Sequence, residues 1–308
     1  MPAAHRSELL LCTEIRRISL LFRQGFVTSR SGIATFAASG WLKQEVIPMY
    51  RLAIPNLPQN RWKRIMKFDC NNHSVINLMA HHILENQTAE GAIPLLRQSI
   101  CRNPTDSFAH WLLSEVYRFG GALEQSVTEG ELALRLNPNV AEGLTFNTYL
   151  YLGRYRRFLE SLRTDDSSAH TTFYRGLAYY YLHDTRNAEA AFHRVYAKNA
   201  ALLHSQIGRA LTCALHHQEH QGLKLIQSVE RSGSSEGEMV YKIAQAYAQL
   251  GDGQSALRML RISVDLGFYP YDYFVRDPLL EQIRGHAEFS NVMKRARERQ
   301  EAFRNCLY

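Results

Sequence analysis

The chain has 308 residues, of which 45% are hydrophobic and 21% charged, enough apolar material for a core and too much for disorder throughout. No stretch approaches the ~18–20 uninterrupted apolar residues of a membrane span. Its five cysteines (Cys12, Cys70, Cys101, Cys213, Cys306) form no CxxC pair, which argues against a disulfide framework or a thiolate zinc site and makes a reducing, cytoplasmic location the expectation.

The net charge of +7 is unevenly placed. Residues 1–67 hold eleven basic and three acidic side chains, whereas the other 241 hold 25 and 26. Residues 8–22 fit one amphipathic helix, after which Gly25, Gly32, Gly40, Pro48, Pro55 and Pro58 interrupt regular structure. The segment reads as poorly structured: a transit peptide, a degenerate domain remnant or a start assigned too far upstream, with Met66 an alternative first residue. Arg61, Lys63, Arg64 and Lys67 beside Trp62 and Phe68 admit contact with nucleic acid or an anionic membrane, although a solvated terminal run is the more ordinary reading.

Beyond Lys67 the hydrophobic period is helical and repeats itself. Asn103-Pro104 and Asn137-Pro138 lie 34 residues apart, as do Tyr179, Cys213 and Tyr247, and Gly176, Ala210 and Ala244. Ala188, Gly222 and Ala256 keep the same interval. This spacing resembles the tetratricopeptide repeat, a family built from pairs of antiparallel helices with small residues at repeat positions 8 and 20 and large ones at 11 and 24. The resemblance implies an all-α, right-handed helical-repeat solenoid over residues 68–270, with repeats at 73–106, 107–138, 139–168, 169–202, 203–236 and 237–270. Position 8 would be Ala80, Ser114, Gly176, Ala210 and Ala244, and position 20 Ala92, Ser126, Ala188, Gly222 and Ala256. The physical demand is close helix crossing, which bulky side chains forbid.

Two of the repeats fit badly. Gly130 stands at position 24, where a large residue belongs, and the third repeat is about four residues short and puts Phe146 and Phe158 where small residues belong. The array is therefore expected to bend or loosen around residues 161–170. Gly120-Gly121 and Gly251 suit the turns between paired helices, while the fifth repeat has His216 to His220 there. Residues 271–308 read as a capping segment, with Asp277-Pro278 starting a helix and a charged helix over residues 289–304 covering the end of the array. The Gly-Phe, Asp-Pro-Leu-Leu and Glu-Phe elements of this segment resemble the ends of bacterial repeat arrays that follow kinase, cyclase or transcription-factor domains.

Chemistry is thinly signalled. His216, Glu219 and His220 spell H-x-x-E-H, a zinc-peptidase pattern, but the repeat register places them across a bend that breaks the i,i+4 pairing of the histidines. His81 and His82 point about 100° apart on a helix and cannot chelate together. There is no GxxxxGK[ST], no strand-preceded GxGxxG and no GxSxG, so no catalytic residue, metal or cofactor is assigned.

The aromatic content, 16 Tyr and 14 Phe, supports a binding surface instead. The family lines its concave groove from positions 2, 5, 9, 12 and 13 of each first helix. Carried over, these are Asn77 and His81; Phe108, Trp111, Glu115 and Phe119; Phe173, Leu177, Tyr180 and Tyr181; and Glu238, Tyr241 and Gln245. Asn77 and His81 stand where the members that clamp chaperone carboxylates carry Lys and Asn, which disfavours that ligand. The expectation is a non-enzymatic scaffold for a protein or peptide segment. The alternative is the regulatory or sensory module of a bacterial signalling system whose effector domain is lost or on another chain.

Overall fold

The computed structural model describes residues 73–86, 88–140, 146–162, 168–234 and 236–307. The expectations for residues 1–67 lie outside them. The chain divides into residues 1–78 and 79–308; of the first unit only the opening of α1 is described. The described residues form helices and no strand, and no helix among them is long and apolar enough to cross a membrane.

Helices α1 (His73–Asn86) to α4 (Leu123–Leu136) include α2 (Ala89–Arg102) and α3 (Ser107–Phe119). The third repeat is reduced to α5 (Thr148–Tyr151) and α6 (Tyr155–Ser161). Full-length pairs then return: α7 (Ala169–Tyr181) with α8 (Thr185–Lys198), α9 (Leu203–Leu215) with α10 (Glu219–Ser232), and α11 (Gly237–Gln249) with α12 (Gly253–Asp265). A short α13 (Tyr271–Phe274), a 3-10 helix (Pro278–Ile283) and α14 (Ala287–Asn305) close the chain.

Local chemistry starts several of these helices. Asp106 accepts from the amides of Phe108 and Ala109 at 3.1 Å, Ser168 from Thr171 at 3.1 Å and Asp252 from Ser255 at 3.0 Å, each satisfying donors that a helix start leaves over. The turns between paired helices share one geometry. The amides of Ala122, Arg154, Asp184, Gln218 and Asp252 donate to the carbonyls of Tyr117, Tyr149, Tyr179, Cys213 and Tyr247 at 2.8–3.1 Å. The residue before each donor is left-handed: Gly121, Gly153, His183, His217 and Gly251, with φ between 54° and 80°. The histidines of the fourth and fifth repeats thus adopt the backbone that glycine supplies elsewhere.

Every expected position 8 and 20 residue is buried. A β-carbon on Gly176 would stand 2.5 Å from the Phe192 ring, and one on Gly222 2.3 Å from Leu250. In the second repeat Ser114 and Ser126 meet through their hydroxyls at 3.2 Å, and Ser126 also donates to the Ser114 carbonyl at 2.7 Å. The two misfits explain each other. A β-carbon on Gly130 would lie 2.3 Å from the ring of Phe146, so the oversized residue of the third repeat fills the space the undersized residue of the second leaves.

The C-terminal part does more than cover the last repeat. Asp277 Oδ1 accepts from the Leu279 amide at 2.9 Å, with Pro278 at the first helical position, as expected. Helix α14 buries Phe289, Val292, Met293, Ala296, Gln300 and Phe303 and reaches back to the second repeat. Phe303 packs edge-on to Tyr117 at 6.4 Å and Arg304 donates to the Gly121 carbonyl at 3.1 Å. Arg97 in the first repeat donates to the Leu307 carbonyl at 2.8 Å. The expected end cap is a brace between the two ends of the array.

Candidate functional site

The inner face of the array converges on Glu238, in the first turn of α11. One of its carboxylate oxygens accepts from Arg118 of α3 at 3.0 Å. The other accepts from Asn147 at 3.0 Å, from Tyr174 of α7 at 2.7 Å and from the Tyr151 hydroxyl. The second, third, fourth and sixth repeats thus share one buried carboxylate. Burial works against its charge, but Arg118 and Lys242 outweigh that and hold its pKa at about 2. Burial likewise opposes the Arg118 charge, and Glu238, then Glu115, more than restores it.

Lys242, one turn beyond Glu238, is 1% exposed. Its ammonium lies over the rings of Tyr151 at 4.8 Å, Tyr241 at 5.3 Å, and Tyr174 and Tyr273 at 5.7 Å. Burial pulls its pKa down to about 8 against the raising influence of Glu238 and Asp277. The same burial pushes the phenols of Tyr151, Tyr174, Tyr181, Tyr241 and Tyr273 well above their usual value, so all are neutral at pH 7.

Residues 268–280 lie across this face. Phe274 stacks on Tyr241 at 4.5 Å and 9°, and Tyr273 on Tyr151 at 4.3 Å and 23°. Asp277 Oδ2 accepts from Tyr241 and from Gln245, each at 2.5 Å. Gln245 also donates to the hydroxyls of Tyr181 and Tyr273.

The expected groove residues therefore divide. Trp111, Phe173, Leu177, Tyr181, Tyr241 and Gln245 are buried, which corrects the expectation of an open surface: their neighbours and the chain's own C-terminal segment cover them. Asn77 is buried too. His81, Phe108, Glu115 and Tyr180 are half-buried, and Glu115 pairs with Arg118 at 3.6 Å. Tyr181, Tyr241, Gln245 and Glu238 do converge with the groove positions of other repeats. Sequence reasoning missed Asn147 and Tyr151, which occupy positions 9 and 13 of the third repeat, and Lys242 and Tyr174, at position 6, which no spacing rule marks.

The inner face stays open at one end. Tyr180, Tyr181, His183, Thr185, Leu215, Gln249, Pro278 and Leu279 line a depression of about 220 Å³. Tyr181, Leu215 and Gln249 are the same repeat position at 34-residue intervals. The Tyr180 hydroxyl donates to Gln249 at 2.9 Å, and Gln249 donates to the Leu279 carbonyl at 2.9 Å. The H-x-x-E-H residues do not form a metal face: His216 ends α9, His217 is left-handed and Glu219 opens α10. His216 pairs with Glu189 at 2.9 Å.

No protein-family model matches the chain, and no curated protein matches it. Among solved structures, a chain of the APC/C Cut9–Hcn1 hetero-tetramer superposes with a TM-score of 0.54 over 92% of this chain, at 12% identity. The match spans 59% of that chain. The fold is that of the tetratricopeptide repeat. Other tetratricopeptide-repeat structures with some similarity include a protein from Parabacteroides merdae (15% identity, TM-score 0.39, 77% of this chain and 93% of that one). Another is YrrB, described as having an unusual peptide-binding site (12%, 0.27, 73% and 98%). In this tetratricopeptide array the inner face is covered over Glu238 and Lys242 and open beside Tyr180.

Proposed function

We propose that the chain is a non-enzymatic interaction scaffold that holds a protein or peptide segment against the first-helix face of its repeats. The observation that carries this reading is the depression where three successive repeats contribute Tyr180 and Tyr181, Leu215, and Gln249 beside Leu279. Tyr and Leu there offer contact area with few rotors to freeze, and none of the lining side chains carries a fixed charge to desolvate. Residues 68–270 would supply the binding array and residues 271–308 its closing segment. Of the groove residues named from sequence, Tyr180 and Tyr181 flank this opening, while His81, Phe108 and Glu115 would extend contact toward the first repeats. A reducing, cytoplasmic setting belongs to the same reading, supported by cysteines without a paired pattern.

Affinity capture from native lysate, with mass spectrometry, tests it. Full-length protein should retain a partner that Tyr180→Ala combined with Leu215→Asp loses, with helical circular dichroism unchanged. Equal capture by both, or by neither, would remove the depression as the binding place.

A further inference from the structure

Residues 268–280 sit on the inner face as a bound peptide would. They engage it through two ring stacks, Tyr273 on Tyr151 and Phe274 on Tyr241, and through one carboxylate, Asp277, held by Tyr241 and Gln245. The face thus recognises two adjacent aromatic residues followed three positions later by an acid. Yet the fit is incomplete. Among the described residues, Lys242 Nζ and Arg118 Nε and Nη1, all deeply buried, have no hydrogen-bond acceptor. The Lys242 ammonium lies between array rings and the ring of Tyr273, at the covered floor of the groove. A buried donor without an acceptor is costly, and cationic donors most of all. The seated segment satisfies the aromatic half of the groove and leaves part of the cationic half unsatisfied.

We infer that residues 268–280 are a built-in occupant of the repeat groove, which an acidic, aromatic peptide segment of another chain replaces. This rests on the scaffold reading, and the open depression beside Leu279 is where such a segment would first engage. A ligand with the aromatic pair and an additional carboxylate would repeat the ring stacks and give Lys242 and Arg118 the acceptors they lack. Because the groove is free only in the fraction of molecules whose segment has lifted, the observed affinity is reduced by that fraction. Weakening the segment should tighten binding.

The probe is a fluorescein-labelled peptide with the sequence of residues 268–279 carrying R276E, which supplies the additional carboxylate, alongside a version carrying D272N, R276Q and D277N, which has no charged side chain. The chain bearing Asp277→Asn should bind the acidic peptide at least 10-fold more tightly than wild type, and the uncharged peptide at least 10-fold more weakly than the acidic one. Equal affinity of wild type and variant, or indifference to the peptide's charge, would overturn the inference. Hydrogen exchange on the unmodified full chain decides it independently of the variant's folding. Amides of Tyr273, Phe274 and Leu280 should exchange through an opening that leaves α11 protected. Exchange of both sets only through global unfolding would show the segment to be permanent core. Lysate capture that still depends on Tyr180 would then leave the scaffold reading standing and this inference alone refuted.

Discussion

The helix crossings and the inner face of the array solve the same problem, bringing helices close, by opposite means. At the crossings the complementarity is one of volume. Small residues at positions 8 and 20 admit a neighbouring helix, and where the second and third repeats break the rule, Gly130 and Phe146 break it in compensating directions. At the inner face the complementarity is one of charge and hydrogen bonding, with Glu238 serving four groups from three other repeats. Volume can be conserved by exchanging residues between neighbours, but a buried charge tolerates the loss of no partner. The crossings are therefore readable from composition at fixed spacing, and the inner face is specific to this molecule.

That contrast is breakable. The largest effect should come from Glu238→Ala, which leaves Arg118 and Lys242 as buried cations with their shared carboxylate gone. Urea denaturation should show a loss of about 3–5 kcal/mol, and a loss below about 1 kcal/mol would mean that the cluster is hydrated and not a dry core.

A crossing should respond more mildly and be rescuable. Gly130→Ala sets a β-carbon against the Phe146 ring and should cost about 1–3 kcal/mol. Combined with Phe146→Leu it should cost less than the sum of the two single changes, by about 1 kcal/mol in a double-mutant cycle. Strict additivity would show that the two residues do not share the space.

Lys242 sharpens the charge side. Lys242→Met should raise stability at pH 7 by about 1–2 kcal/mol, since a buried cation without a hydrogen-bond acceptor gives way to an apolar chain of similar length. The pH profile provides the sign. The folded lysine titrates near pH 8 and the unfolded one near 10.5, so between these values the unfolded state binds more protons and wild-type stability rises with pH. Below pH 8 both forms are charged and the contribution is flat. Above pH 10 the tyrosines, whose folded phenols resist ionisation, begin to favour unfolding. The rise between pH 8 and 10 should vanish in Lys242→Met, and a wild-type profile without it would place Lys242 in contact with water.

The smallest effect belongs to the turns. His217 holds a left-handed backbone at φ 54°, where a side chain costs about 1–2 kcal/mol that glycine avoids, offset by glycine's greater freedom when unfolded. His217→Gly should therefore stabilise by about 0.5–1 kcal/mol in thermal denaturation.

The repeat register was legible because close crossing imposes residue size at fixed intervals, and the shared turn bond confirms that register even in the shortened third repeat. The candidate site was half legible. Tyr181, Glu238, Tyr241 and Gln245 do meet on the inner face, but a positional rule marks where a side chain points and is silent on what lies opposite. Trp111 and Phe173 illustrate the loss: aromatic residues at groove positions look alike whether they face a ligand or a neighbouring helix. Lys242 gave no signal at all, since its importance comes from four tyrosines drawn from four separate parts of the chain.

By itself the sequence determined the helical class, the 34-residue period, the places of close crossing and the Asp277-Pro278 helix start, since each depends on residues near one another along the chain. Only the tertiary structure decided that Phe146 fills the space beside Gly130, that Arg118 and Glu238 meet across 120 residues, and that residues 268–280 lie over the inner face. Those contacts depend on how one repeat sets the angle of the next, and small rotations accumulated over several helix pairs leave no periodic mark in the sequence.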